Sequence, residues 1–169
     1  MNSVQLHLAL THVPVILSFV GLIMLIVAFF IKSTTLTRTS YIVLLIAGVA
    51  ALPVYFSGEG TEEAIENLPG VSESIIEEHE EVAKLAMISI AAAGLVSLTA
   101  LFSSKWQSPA RILKIVVLVI AIISGGLMAQ TAHLGGQVRH TEIRNGLALQ
   151  NSESGSGNEM DQQEDKDED

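Results

Sequence analysis

The sequence predicts an all-α fold: a four-transmembrane-helix bundle followed by a disordered acidic C-terminal tail. Three observations carry this. Nearly half of the chain is apolar, 49% of 169 residues, and only 16% is charged, with a positive mean hydropathy of +0.48. Four apolar runs, residues 13–31, 41–56, 85–102 and 112–132, alternate with polar segments. Residues 151–169 hold eight acids against one lysine, a net of −7 out of the whole chain's −9.

Each run is measured against the bilayer. A hydrocarbon core of ~30 Å needs ~20 helical residues at ~1.5 Å each. The first, third and fourth runs meet that length, and the second reaches it by extending back through Thr37, Thr39 and Ser40. Backbone N–H and C=O groups find no water in lipid, so a spanning segment must satisfy them internally as a helix. No run shows the strict alternation of barrel strands. Small residues such as Gly48, Ala91, Ala93, Gly94, Gly125 and Gly126 allow helices to approach closely.

The helix ends are read from capping residues and breakers. In the first run, either Thr11 caps a helix that starts beside it, or the helix starts at Ser3 and Pro14 kinks it below His12. Gly58 and Gly60 are expected to end the second helix. Thr61 then caps a short helix to about Asn67, stopped by Pro69-Gly70. Ser74-x-x-Glu77 is a capping box that opens the third helix, which projects about two turns beyond the apolar run before Leu85. Residues 1–148 form the membrane domain and 149–169 the tail, which has no apolar pattern to build a core.

Orientation follows from charge. Lys32 and Arg38 lie between the first and second helices, and Lys105, Arg111 and Lys114 lie between or beside the third and fourth. The loop over residues 57–81 has nine glutamates and no Lys or Arg. The positive-inside rule makes the basic loops cytoplasmic. Both termini and the acidic loop then lie outside, in a multi-pass protein of the plasma (inner) membrane. Trp106 and Tyr55 fall at the inner and outer boundaries, where amphipathic rings settle. Residues 1–12 have no Lys or Arg, so no cleavable signal peptide is expected.

The chain has no cysteine. That excludes thiolate metal sites, disulfides and covalently attached c-type haem. No nucleophile–base pattern, phosphate loop or H-E-x-x-H motif occurs, and no basic patch suits nucleic acid. The residues that remain to carry chemistry are the five histidines. His7 and His12 stand at the start of the first helix, His79 in the outer extension of the third, and His133 and His140 at the end of the fourth. All five fall on the outward side of the derived topology, and ionisable groups at membrane depth are functional candidates.

On a helix His133 and His140 differ by only ~20° and by ~10 Å in height. His12 and His133 both sit at the outer edge of their runs, and His79 stands nearer the height of His140. The expected pairs are therefore His12 with His133 and His79 with His140. His7 lies roughly 140° around the helix from His12 and is a spare ligand or a rim hydrogen-bonder. Imidazoles on facing helices suit b-type haem, with Gly135 and Gly136 leaving room for its flat face and Arg139 and Arg144 pairing with propionates. They also suit a divalent metal ion at any of the five histidines, because carboxylates such as Glu59, Glu63, Glu78 and Glu80 lie on the same side.

L-H-L-A-L-T-H-V-P at residues 6–14, E-E-H-E at 77–80 and H-L-G-G-Q-V-R-H at 133–140 resemble the four-helix bacterial membrane proteins called domain of unknown function 2231. That family tends to show H-P-x-x-V-H-F-P, a mid-chain His-Glu and G-x-x-G-G-x-L-V-x-x-H. The pattern falls on His7, His12, His79, His133 and His140, with Pro14 and Gly136. This chain has Leu8 where the family has Pro and Val13 where it has Phe. The resemblance implies four transmembrane helices and a likeness to small haem-binding membrane cytochromes. The expected function is a membrane-embedded electron carrier that binds b-type haem on its outer side and exchanges electrons with partner proteins. The alternative is a non-haem metal-binding or structural accessory subunit of a larger membrane complex.

Overall fold

In a computed structural model, residues 2–65, 68, 71–103 and 107–139 are described. The tail over 149–169, His140 and Arg144 lie outside those residues, and of Arg139 only the backbone is described. Five helices make four spans: α1 (Ser3–Leu10) and α2 (His12–Phe30) follow one another as the first, then come α3 (Thr34–Ile65), α4 (Glu73–Phe102) and α5 (Gln107–Arg139). Each span packs on the next, and α5 closes against α2. The spans alternate in direction, so one end of the bundle gathers the chain start, the ends of α3 and α5 and the start of α4. We call this the acidic end, and the opposite one the basic end. All four spans are long and apolar enough to cross a membrane, and no strand occurs among the described residues.

Large apolar side chains cover the outside of the bundle along its spans. Ile16, Val49, Leu95 and Ile122 are 57%, 61%, 64% and 53% exposed. The inside holds many alanines and glycines and the buried serines Ser18, Ser40, Ser57, Ser97 and Ser124, around a few large side chains such as Leu25, Leu44 and Ile90. In water this arrangement would forfeit the burial of large side chains. In lipid it is the favourable one, because close packing of small residues drives association there. Ser18 and Ser40 donate back to the carbonyls of Val15 and Thr37, which hides their polarity within their own helices.

The α3 and α4 helices approach through their backbones at two glycines. A Cβ on Gly48 would stand 2.9 Å from the Ile90 carbonyl oxygen, and one on Gly94 would stand 3.3 Å from the Leu45 Cα. Each glycine therefore lies against the other helix's backbone.

Several helix ends differ from those the sequence suggests. The first helix starts at Ser3, capped by Asn2 Oδ1, which accepts from Gln5 N at 2.9 Å. Regular helix is interrupted only at Thr11, next to where Pro14 offers no N–H to the Leu10 carbonyl. The α3 helix does not stop at Gly58 or Gly60 but runs on to Ile65. Both glycines are packed: a Cβ on Gly60 would stand 2.7 Å from Ser3 Oγ, and that hydroxyl donates to the Gly60 carbonyl at 3.1 Å. The α4 helix opens at Glu73 after an extended Ser72, so Ser74 lies inside it and its hydroxyl meets that of Ser72 at 2.9 Å. The α5 helix runs through Gly135 and Gly136 rather than ending there.

Gly48→Ala forces a methyl group against a backbone that cannot swing away. We expect it to lower stability by about 1–3 kcal/mol, seen as an earlier unfolding midpoint in detergent. Gly126→Ala, where a Cβ would meet nothing within 4 Å, should not lower the midpoint and can raise it by relieving the helical cost of glycine.

Candidate functional site

A cavity of about 510 Å³ opens at the acidic end. The first span supplies His7, Thr11, Pro14 and Val15 to its wall. The α3 helix adds Val54, Tyr55, Gly58, Glu59, Glu62 and Glu63. From α4 come His79, Glu80 and Met87, and from α5 Met128 and Thr131. The floor is apolar and the rim acidic. Apolar walls with a few convergent polar groups are the usual make-up of a ligand pocket, and this volume lies within the usual range of ~300–1,000 Å³.

Two imidazoles reach this cavity. His7 Nδ1 lies 2.9 Å from the Val54 carbonyl oxygen and 3.4 Å from Ser57 Oγ. A carbonyl only accepts, so that nitrogen carries the proton and donates. The other ring nitrogen, Nε2, then holds the lone pair. This is how ligating histidines are commonly set, with one nitrogen pinned by a carbonyl and the other left basic. Gly58 stands beside the same ring, where a Cβ would come within 3.7 Å of its Cε1.

His79 is held more tightly. A Cβ on Gly135 would stand 3.1 Å from His79 Cε1, so the bare backbone of α5 makes the room for this ring. His79 Nδ1 is buried without a hydrogen-bond partner. The Thr131 backbone acts on the ring without meeting hydrogen-bond geometry at Nδ1. His7 and His79 are near enough for the charge of one to act on the other. A buried polar nitrogen left unpaired costs about 1–3 kcal/mol, and in a cavity wall it is a natural point for a ligand to bond.

The other sequence-derived residues fall elsewhere. His12 and His133 are exposed, and neither lines the cavity. Gln137 Nε2 donates to His133 Nε2 at 3.0 Å, one turn along α5. The cavity thus takes His7 and His79 into its wall, and His12 and His133 are not among its lining. The pairing of His79 with His140, and the roles of Arg139 and Arg144 towards propionates, lie outside the described side chains. Gly135 makes room for an imidazole rather than for a macrocycle, while Gly136 faces open space. Of the sequence-flagged carboxylates, Glu59, Glu63 and Glu80 line the cavity; Glu78 is exposed and does not. Among the described residues, no group of three or more His, Asp or Glu side chains converges to enclose a metal ion.

Tyr55, Met87, Met128 and Thr131 carry no sequence signal that separates them from ordinary lipid-boundary or core residues. The one usable signal is the pairing of a bulky ring with a glycine on a facing span, and it needs the helix register to be read.

Comparison of the chain with protein-family models, with curated proteins and with solved structures finds no match.

If Gly135 is what seats His79, Gly135→Ala will displace that ring and Gly136→Ala will not. In a protein labelled with ¹⁵N-histidine, the His79 ring resonances should move in the first variant and stay in the second.

Proposed function

We propose that this is a multi-pass membrane protein that holds b-type haem between His7 and His79 and serves electron transfer. The observation that carries the reading is the pinned His7 Nδ1, which leaves Nε2 basic, in the same cavity as the buried, unpartnered His79 Nδ1. Two imidazoles from facing helices are the donor set of a bis-histidine haem. The volume of about 510 Å³ and the apolar floor suit a large ring better than a bare ion.

The chain's own residues would do four things. The Val54 carbonyl fixes the tautomer and angle of His7. Gly58 and Gly135 leave the two rings their places. Pro14, Val15, Met87 and Met128 exclude water, which keeps the local dielectric low. His7 and His79 would hold the group in place of the His12–His133 pair. The bound group would supply one-electron chemistry, its potential tuned by these ligands and their burial. By the positive-inside rule the acidic end lies outside, so partner proteins would meet the site from that side.

The acidic rim supports a second reading. Glu59, Glu62, Glu63 and Glu80 line the mouth, and among the described residues no Lys or Arg does. That charge opposes a dianionic macrocycle and suits a divalent ion held by two imidazoles, with water completing its shell and the rim carboxylates drawing the cation in.

An absorption spectrum of the detergent-purified protein, oxidised and then reduced, separates the readings. Haem gives a Soret band that His7→Ala and His79→Ala abolish, while His12→Ala and His133→Ala keep it. A colourless protein with one equivalent of metal, lost in His79→Ala, establishes the ion instead. A colourless, metal-free protein, or spectra unchanged in all four variants, overturns both.

A further inference from the structure

The basic end holds a second cavity, of about 310 Å³, that the histidine site does not involve. Four cations from one turn and two helices line it: Lys32 in the α2–α3 turn, Arg38 on α3, and Arg111 and Lys114 on α5. Among the described residues no carboxylate lines it. None is close along the spans either, because residues 13–58 and 82–138 contain no Asp or Glu. From its geometry and charge we infer that this cavity binds the phosphate group of an anionic phospholipid.

Positive charge at a membrane boundary is ordinary, but its convergence here is built. The Lys114 side chain is half-buried and crosses to α2, where Nζ donates to the Ala28 carbonyl at 3.3 Å and lies 5.4 Å from the centre of the Phe29 ring. It is thereby fixed at the cavity wall instead of reaching freely into water. Lys32 has a left-handed φ of 55°, a conformation that a non-glycine residue adopts at a cost and that tends to mark sites where surroundings impose it. Thr34, Thr37 and the buried Tyr41 add hydroxyl groups to the same wall. Phosphate oxygens accept from ammonium, guanidinium and hydroxyl donors alike, and like charges gathered at one wall repel one another until an anion enters.

The surroundings favour a lipid as the source of that phosphate. Phe30, Ile31, Phe102 and Ile112 flank the cavity in the chain and are 77%, 63%, 78% and 64% exposed. Acyl chains could lie against that apolar collar while the headgroup enters between the spans. Basic pockets between spans on the cytoplasmic side take anionic headgroups in this way.

The test is native mass spectrometry of the full chain released from detergent containing equal amounts of phosphatidylglycerol and phosphatidylcholine. Wild type should retain one phosphatidylglycerol in preference to phosphatidylcholine. The double variant K32Q/R111Q should weaken that retention by about twenty-fivefold, at about one factor of five per lost cation. K84Q, which removes a cation that does not line the cavity, should retain it as wild type does. Equal retention of the two lipids, or equal retention by wild type and K32Q/R111Q, overturns the proposal. Saturable uptake of inorganic phosphate by wild type but not by K32Q/R111Q, with no lipid retained, overturns the lipid as source and assigns the phosphate to solution. Because no histidine is changed, the result is independent of the haem spectrum.

Discussion

The close approach of α3 and α4 sets the geometry on which the other features depend. Gly48 lies over the Ile90 carbonyl and Gly94 over the backbone at Leu45. Two helices that touch through backbone cannot slide or rotate past one another without a clash. Their register therefore fixes which residues share a height at the acidic end, and it brings Val54 of α3 and His79 of α4 to one cavity. The first span and α5 then pack against this pair, with Gly21 over Leu44 and Gly125 over Leu22. In lipid there is little hydrophobic gain in bringing helices together, so van der Waals fit of this kind has to supply the cohesion.

Charge is sorted along the axis of that frame. Nine glutamates lie within residues 57–81, and the described cations other than Lys84 and Arg139 lie at the other end. Each end opens into a cavity of matching character, one with imidazoles and carboxylates, the other with ammonium, guanidinium and hydroxyl groups. Between them the core is small, neutral and closed by Leu25, Leu44, Ile90 and Val117, all fully buried. No polar path among these residues joins the two sites, so each can be occupied on its own terms.

The histidines show where reading the chain alone reaches its limit. Depth along each span is given by counting residues from the edge of an apolar run, and that count puts His12 and His133 at the same level. It does not give the rotation of a helix about its axis. His7 and His12 are roughly 140° apart on a helix, so at most one of them can face the bundle, and packing against Gly58 and Val54 selects His7. The same holds for the run of helix through Gly58 and Gly60. Glycine in a helix costs about 0.5–1 kcal/mol, which makes it a sound stop signal in isolation. Here the missing side chains are what let His7 and Ser3 pack against α3, and that contact offsets the cost.

The amino-acid sequence by itself determined the number of spans, their approximate limits and the segregation of acidic from basic residues. These follow from one-dimensional properties, since an apolar solvent of fixed thickness selects length and hydropathy whatever the neighbours are. The tertiary structure alone decided which histidines meet, which glycines make room for them and which four cations share a pocket. Those outcomes depend on helix phase and register, which are set by contacts between residues far apart in the chain and leave no periodic trace along it.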